Sequence, residues 1–140
     1  MLEVSPEEED LSYLGSLLSE QDYAVKSAAS IAEALRILRQ EPVCMVFTAE
    51  NLPDGTWEHF LLVSRRRHLQ LPVIVMVRFS QAAHWAFLLS TGAFDVLPRP
   101  FSETEVGQVA GLAYRASLQL REFPEGVTVI RAASGLAQPA

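Results

Sequence analysis

Neighbouring acids, a hydroxyl beside an acid, histidines at ligand spacing and an exposed thiol are the patterns with which a chain of this size does chemistry. Glu7, Glu8, Glu9 and Asp10 crowd one stretch directly after Ser5-Pro6. Carboxylates placed like Glu7 and Glu8 can recruit a hard divalent cation. They equally suit the first turn of a helix, where each gains ~0.3–1 kcal/mol from the positive end of the dipole, and that use explains them already. The same stretch, Ser5-Pro6-Glu7-Glu8-Glu9, is not the Gly- or Ser/Thr-rich loop that cradles a phosphate-bearing cofactor, and its acids repel one. Thr48 carries a hydroxyl that offers a kinase an acceptor, or that simply ends a strand. Glu50, two residues on, supplies either a fixed negative charge or a loop carboxylate in water. His59, His68 and His84 are scattered over different helical segments without ligand spacing and read as surface residues. Cys44, the single cysteine, lies in an apolar run and reads as an inert core thiol. Arg65-Arg66-Arg67 reads as the solvated end of a helix.

The elements that must position these residues belong to one domain. The chain has 140 residues, against ~100–200 per domain. At 49% hydrophobic and 20% charged it has the composition of a globular protein, and one cysteine excludes an internal disulfide framework. A net charge of −6 argues against nucleic acid and anionic membranes as partners of this domain. No apolar run approaches the ~18 residues of a membrane span, and the acidic N-terminal stretch does not resemble a secretory signal. The expectation is a cytoplasmic domain.

Ser5-Pro6-Glu7-Glu8, Ser30-Ile31-Ala32-Glu33 and Ser102-Glu103-Thr104-Glu105 have the form of capping boxes, each followed by apolar residues at helical period. Glu41-Pro42 stops the second helix, and Gly92 stops a later one through Ala83, Trp85 and Leu88. Between them lie Val43-Cys44-Met45-Val46-Phe47 and Val73-Ile74-Val75-Met76-Val77, continuous apolar runs suited to strands covered on both faces. Strands alternating with helices predict an α/β domain with a parallel sheet. Five βα units fit between residue 2 and about residue 121. The predicted organisation is a domain over 1–121 and a tail or linker over 122–140, with a small β-prone patch at Val127-Thr128-Val129-Ile130.

Three segments together resemble the receiver domain of bacterial response regulators, the CheY-like superfamily. They are Leu52-Pro53-Asp54-Gly55, Leu71-Pro72-Val73-Ile74-Val75 and, most specifically, Thr91-Gly92-Ala93-Phe94-Asp95-Val96-Leu97-Pro98-Arg99-Pro100-Phe101. The resemblance implies a flavodoxin-like (βα)5 doubly wound parallel sheet of strand order 2-1-3-4-5, with its site at the carboxyl ends of the strands. It further implies a signalling domain rather than an enzyme, whose chemistry is Mg2+-assisted transfer of a phosphoryl group onto an aspartate.

Carried over position by position, the resemblance places the phosphoacceptor at Ala49, or at Thr48 when counted from Pro42. The acid pair falls at Ser5 and Pro6, with Glu7 just beyond. The switch hydroxyl falls at Val77, the lysine at Arg99 and the aromatic switch at Val96. The expected domain is therefore a degenerate receiver, without cofactor and with its Mg2+ site lost. Its partner is a protein or an output domain, with homodimerisation through the fourth helix, fifth strand and fifth helix, a face including Trp85, Phe94 or Val96, and Arg115. Two alternatives stand beside it: a phosphorylatable receiver using Thr48 or Glu50, and a flavodoxin-like ligand-binding protein. One residue fits poorly: Glu3 falls in the middle of a first strand that should be central, where a buried carboxylate is costly. Either Glu3 lies at the strand's mouth or the register there differs.

Overall fold

The computed structural model describes residues 6–66, 71–78, 81–99, 101–118 and 128–132. Helix α1 (Pro6–Glu20) is followed by strand β1 (Ala24–Ala28), α2 (Ile31–Gln40) and β2 (Val43–Ala49). A small antiparallel hairpin, β3 (Asn51–Leu52) and β4 (Gly55–Thr56), leads into α3 (Trp57–Arg66). Then come β5 (Val73–Val77), α4 (Ala82–Thr91), β6 (Asp95–Pro98), α5 (Glu103–Leu118) and β7 (Thr128–Ala132).

Five strands form one sheet in the order β1-β7-β2-β5-β6, every neighbouring pair parallel. Because successive strand residues point to opposite faces, the apolar runs feed two cores. On one face Cys44, Met45, Phe47, Ile74, Met76 and Leu97 meet Leu14, Leu17 and Leu18 of α1 and Val106, Val109, Ala110 and Ala113 of α5. On the other, Val43, Val46, Val73, Val75, Val77 and Val96 meet Ile31 and Ala34 of α2, Trp57, Phe60 and Leu61 of α3, and Leu88 of α4. Each buried aliphatic or aromatic side chain contributes roughly 1.5–3 kcal/mol, so this double layer holds the frame. The expected doubly wound α/β architecture is what the chain adopts.

The centre of the sheet departs from the sequence reading. Strands two to five of the expected order are β1, β2, β5 and β6, and the place between β1 and β2 is taken by β7. Thr128–Ala132 thus lies inside the domain rather than in a tail over 122–140. The physical reason is burial: Val129 and Ile130 point to opposite cores, fully buried, and Ala132 joins the second. The expected first strand, with Glu3 and the expected acid-pair position Ser5, lies outside the described residues.

Two of the helix starts follow the capping signals. The Ser30 hydroxyl accepts from the Glu33 amide at 3.2 Å while the Glu33 carboxylate reaches back to the Ala29 amide at 2.6 Å. Ser102 Oγ accepts from the Glu105 amide at 3.1 Å. Gly92 ends α4 with φ 132°, and its amide donates to the carbonyls of Leu88 and Leu89.

Candidate functional site at the carboxyl ends of the strands

Parallel strands bring their ends together. Thr48 lies beside Val75 on one side and Ala132 on the other, and Ala49 lies beside Met76. Val77 pairs with Pro98, and the Arg99 amide donates to the Val77 carbonyl at 2.9 Å. Thr48, Ala49, Val77 and Arg99 are therefore gathered at one mouth.

The chemistry available there is sparse. The Thr48 side chain is buried and its Oγ1 donates to the Ala49 carbonyl at 2.9 Å, so the hydroxyl is held within its own strand end. Ala49 offers only a methyl group. Val77 is buried and apolar. Arg99 is half-buried, with its guanidinium carbon 5.8 Å from the centre of the Phe101 ring, a cation–π contact. Arg78 follows Val77 on the exposed side. Among the described residues, no group of three or more His, Cys, Asp or Glu side chains is placed to hold a metal ion.

Glu50 does not point into open water. Its two carboxylate oxygens lie 3.1 and 3.0 Å from Nε2 of His84, in the first turn of α4, and the His84 ring stacks on Phe87 at 6.5 Å. His84, expected on the bare surface, thereby links the loop after β2 to α4. His59 is exposed, and His68 lies outside the described residues. Cys44 is a buried core thiol, as expected.

Asp54 was visible only as part of a turn, yet it bears on the site most directly through the backbone. Its carboxylate accepts from the amides of Ile31 at 2.8 Å and Ala32 at 3.1 Å, closing the open N-terminus of α2 from the hairpin that follows the mouth. Burial nudges its carboxyl upward, but the amides of Ile31, Ala32 and Asp54 itself, with nearby His59, bring it below the usual value of 3.8. Gly55, next to it, has φ 152°, and an added Cβ would lie 2.9 Å from Cδ1 of Ile31. Only glycine keeps this close approach between hairpin and α2.

The family model for the response regulator receiver domain matches residues 4–110. The chain belongs to that family. It is similar to the response regulator protein PilR of Pseudomonas aeruginosa, 29% identical over 90 residues, which are 64% of this chain and 20% of that protein. The chain thus spans about a fifth of that relative. A response regulator structure from Chloroflexus aurantiacus, described as putative, superposes with a TM-score of 0.70 at 20% identity, covering 80% of this chain and 93% of the other. The beryllofluoride-activated NtrC4 receiver domain dimer gives 0.70 at 21% identity, covering 79% and 91%. The NtrX receiver domain of Brucella abortus gives 0.65 at 21%, covering 74% and 88%. At these identities the structures speak for the fold.

For this receiver, Pro6 and Glu7 fall in the first turn of α1. Of the expected interface, Phe94 is 37% exposed and Arg115 is exposed, whereas Trp85 is half-buried against the second core. Val96 is a correction: it is 2% exposed, because β6 sets it beside Val75 of β5 and turns it into the core that also holds Leu88, and a partner cannot reach it. The sequence reading also missed Phe87 and Leu89, 53% and 41% exposed on α4. Their signal was there in Ala82-Ala83-His84-Trp85-Ala86-Phe87-Leu88-Leu89, a helix apolar on every side, more than one core-facing stripe needs. Among the described residues no helix is long and apolar enough to cross a membrane.

Proposed function

We propose that this receiver is a cytoplasmic signalling module that works by protein contact and takes no phosphate on aspartate. The observation that carries the reading is the end of β2: at Ala49, the acceptor position counted back from Leu52-Pro53-Asp54-Gly55, the side chain is a methyl group, and at Thr48, the position counted from Pro42, it is a hydroxyl, so neither reading offers a carboxylate. The surrounding positions agree. The side chains of Pro6 and Val77 carry no oxygen and that of Ser5 only a neutral hydroxyl, Glu7 falls in the first turn of α1, and Mg2+ demands oxygen ligands in near-octahedral array. Ala133 to Ala140, which follow β7 in sequence, contain no acid. That donor set suits Mg2+ poorly. Arg99 keeps a positive charge, but it is a planar fork rather than a point charge and lies over Phe101. Thr48 as an unorthodox acceptor is disfavoured by the inward bond of its hydroxyl, and Glu50 by its pairing with His84.

The contact surface is the face of α4, β6 and α5. Phe87, Leu89 and Phe94 present apolar rings and a branched chain to solvent, and α4 carries no acid or lysine or arginine to keep it wet. A patch of this kind marks an interaction site. A receiver dimer is known among the structural relatives by its description, and a homodimer is our reading here, with Arg115 at its rim. Sedimentation velocity across a concentration series tests it. The expected result is a monomer–dimer equilibrium indifferent to Mg2+ and beryllofluoride. A monomer at every concentration, or dimerisation only when both are added, overturns it.

A further inference from the structure

Helix α5 turns one side away from the core, and an open groove of about 670 Å3 runs along it. Gln21, in the turn after α1, forms one rim, and Glu103, Gly107, Gly111, Leu112 and Arg115 line the floor and the far side. Leu112 is 52% exposed. Glu103, Gly107, Gly111 and Arg115 stand four residues apart and so form one ridge of the helix surface, reading acid, glycine, glycine, base. Both charged side chains are exposed, and neither has an ion-pair partner among the described residues. The fold does not account for the glycines. A Cβ on Gly111 would meet nothing within 4 Å, and one on Gly107 only the Gln21 side chain, 3.4 Å away at its nearest. Neither glycine has the left-handed backbone that a side chain would strain. Glycine weakens a helix interior relative to alanine, and no contact within the chain offsets that. What the two glycines supply is a bare strip on which another backbone can come close.

We propose that the α5 groove receives the α5 of a second copy of this chain, the two helices crossing antiparallel about a two-fold axis level with Val109. A two-fold contact requires a surface that is its own complement. Reversed about position 109, the ridge exchanges 103 with 115 and 107 with 111. Glu103 therefore meets the partner's Arg115 at both ends, and Gly107 faces the partner's Gly111 at the crossing. Ridges of this four-residue spacing pack into one another at about −50°. At 1.5 Å per residue the charges lie about 9 Å either side of the crossing, a span that long side chains can close. This inference rests on the homodimer reading above and deepens it, by giving Arg115 a partner and placing the axis on α5.

Sedimentation velocity at low salt, where ion pairs are least screened, tests it on the parent, Glu103→Arg, Arg115→Glu, the double reversal and Gly111→Leu. Each single reversal is expected to weaken self-association about tenfold, because the two-fold makes every substitution act twice. The double reversal restores both pairs and the parent's net charge, and is expected to return to within about threefold of the parent. Gly111→Leu is expected to abolish the dimer while raising the thermal midpoint, since leucine favours the helix and its Cβ meets nothing. A double reversal no tighter than the singles, or a Gly111→Leu variant that dimerises like the parent, overturns the proposal. If Phe87→Asp nevertheless yields a monomer, the homodimer reading stands without it; a parent that is monomeric at every concentration ends both.

Discussion

Removing the Asp54 carboxylate tests how the hairpin after β2 is fastened to the frame. Asp54→Ala takes away two hydrogen bonds, to the amides of Ile31 and Ala32, that close the first turn of α2 from another part of the chain. Losing an N-terminal cap costs about 1 kcal/mol. Asp54 is exposed, so the purely ionic part of that figure is screened and small. Asp54→Asn keeps one acceptor oxygen and is expected to cost about half as much. For a domain of this size 1 kcal/mol corresponds to ~3 °C in Tm. The carboxyl titrates below its usual value in the folded state, so its contribution is complete at neutral pH. It begins to fade as the pH drops toward 3.8 and is gone once the pH is below the folded value. Urea unfolding of parent and Asp54→Ala is therefore expected to differ by about 1 kcal/mol at pH 7 and to draw closer under strong acid, where the protonated carboxyl keeps a single acceptor oxygen. Equal stabilities at pH 7, or a difference that persists unchanged in strong acid, refutes the capping argument.

Three further outcomes follow from named contacts. Gly92→Ala forces a left-handed backbone and sets a Cβ 2.9 Å from Cδ2 of Leu61, so urea denaturation is expected to show a loss above ~1 kcal/mol. Ser117→Ala leaves the Cys44 carbonyl of β2, where the register against β7 slips between Val43 and Met45, without its hydroxyl donor; the expected cost is about 1–3 kcal/mol, read in the same assay, with near-parent stability counting against the importance of that bond. Phe87→Asp, at an exposed position, is expected to leave stability within about 0.5 kcal/mol while abolishing self-association in sedimentation.

The frame was legible because its signals are local. Val43–Phe47 and Val73–Val77 could only be covered strands, Ser30 and Ser102 announced their helices, and Gly92 announced an end. Positions at the mouth were legible because the motif Gly92–Phe101 fixes spacing to Val77 and Arg99. What escaped is non-local. Val127-Thr128-Val129-Ile130 reads as β-prone, but nothing within a few residues says that its partners are β1, 104 positions back along the chain, and β2, 84 to 85 positions back. Asp54 looked like a turn residue because the amides that donate to its carboxylate, those of Ile31 and Ala32, are 23 and 22 positions away. The Glu50–His84 pair, 34 positions apart, was invisible for the same reason. Val96 was placed on the outer face by motif position alone, whereas strand alternation sends it to the core.

Incubating the purified chain with radiolabelled acetyl phosphate and Mg2+, then counting protein-bound label, tests the central claim most directly. The account predicts no label above that of a denatured control. Stable label on the protein, whether on Thr48, Glu50 or elsewhere at the mouth, would contradict it.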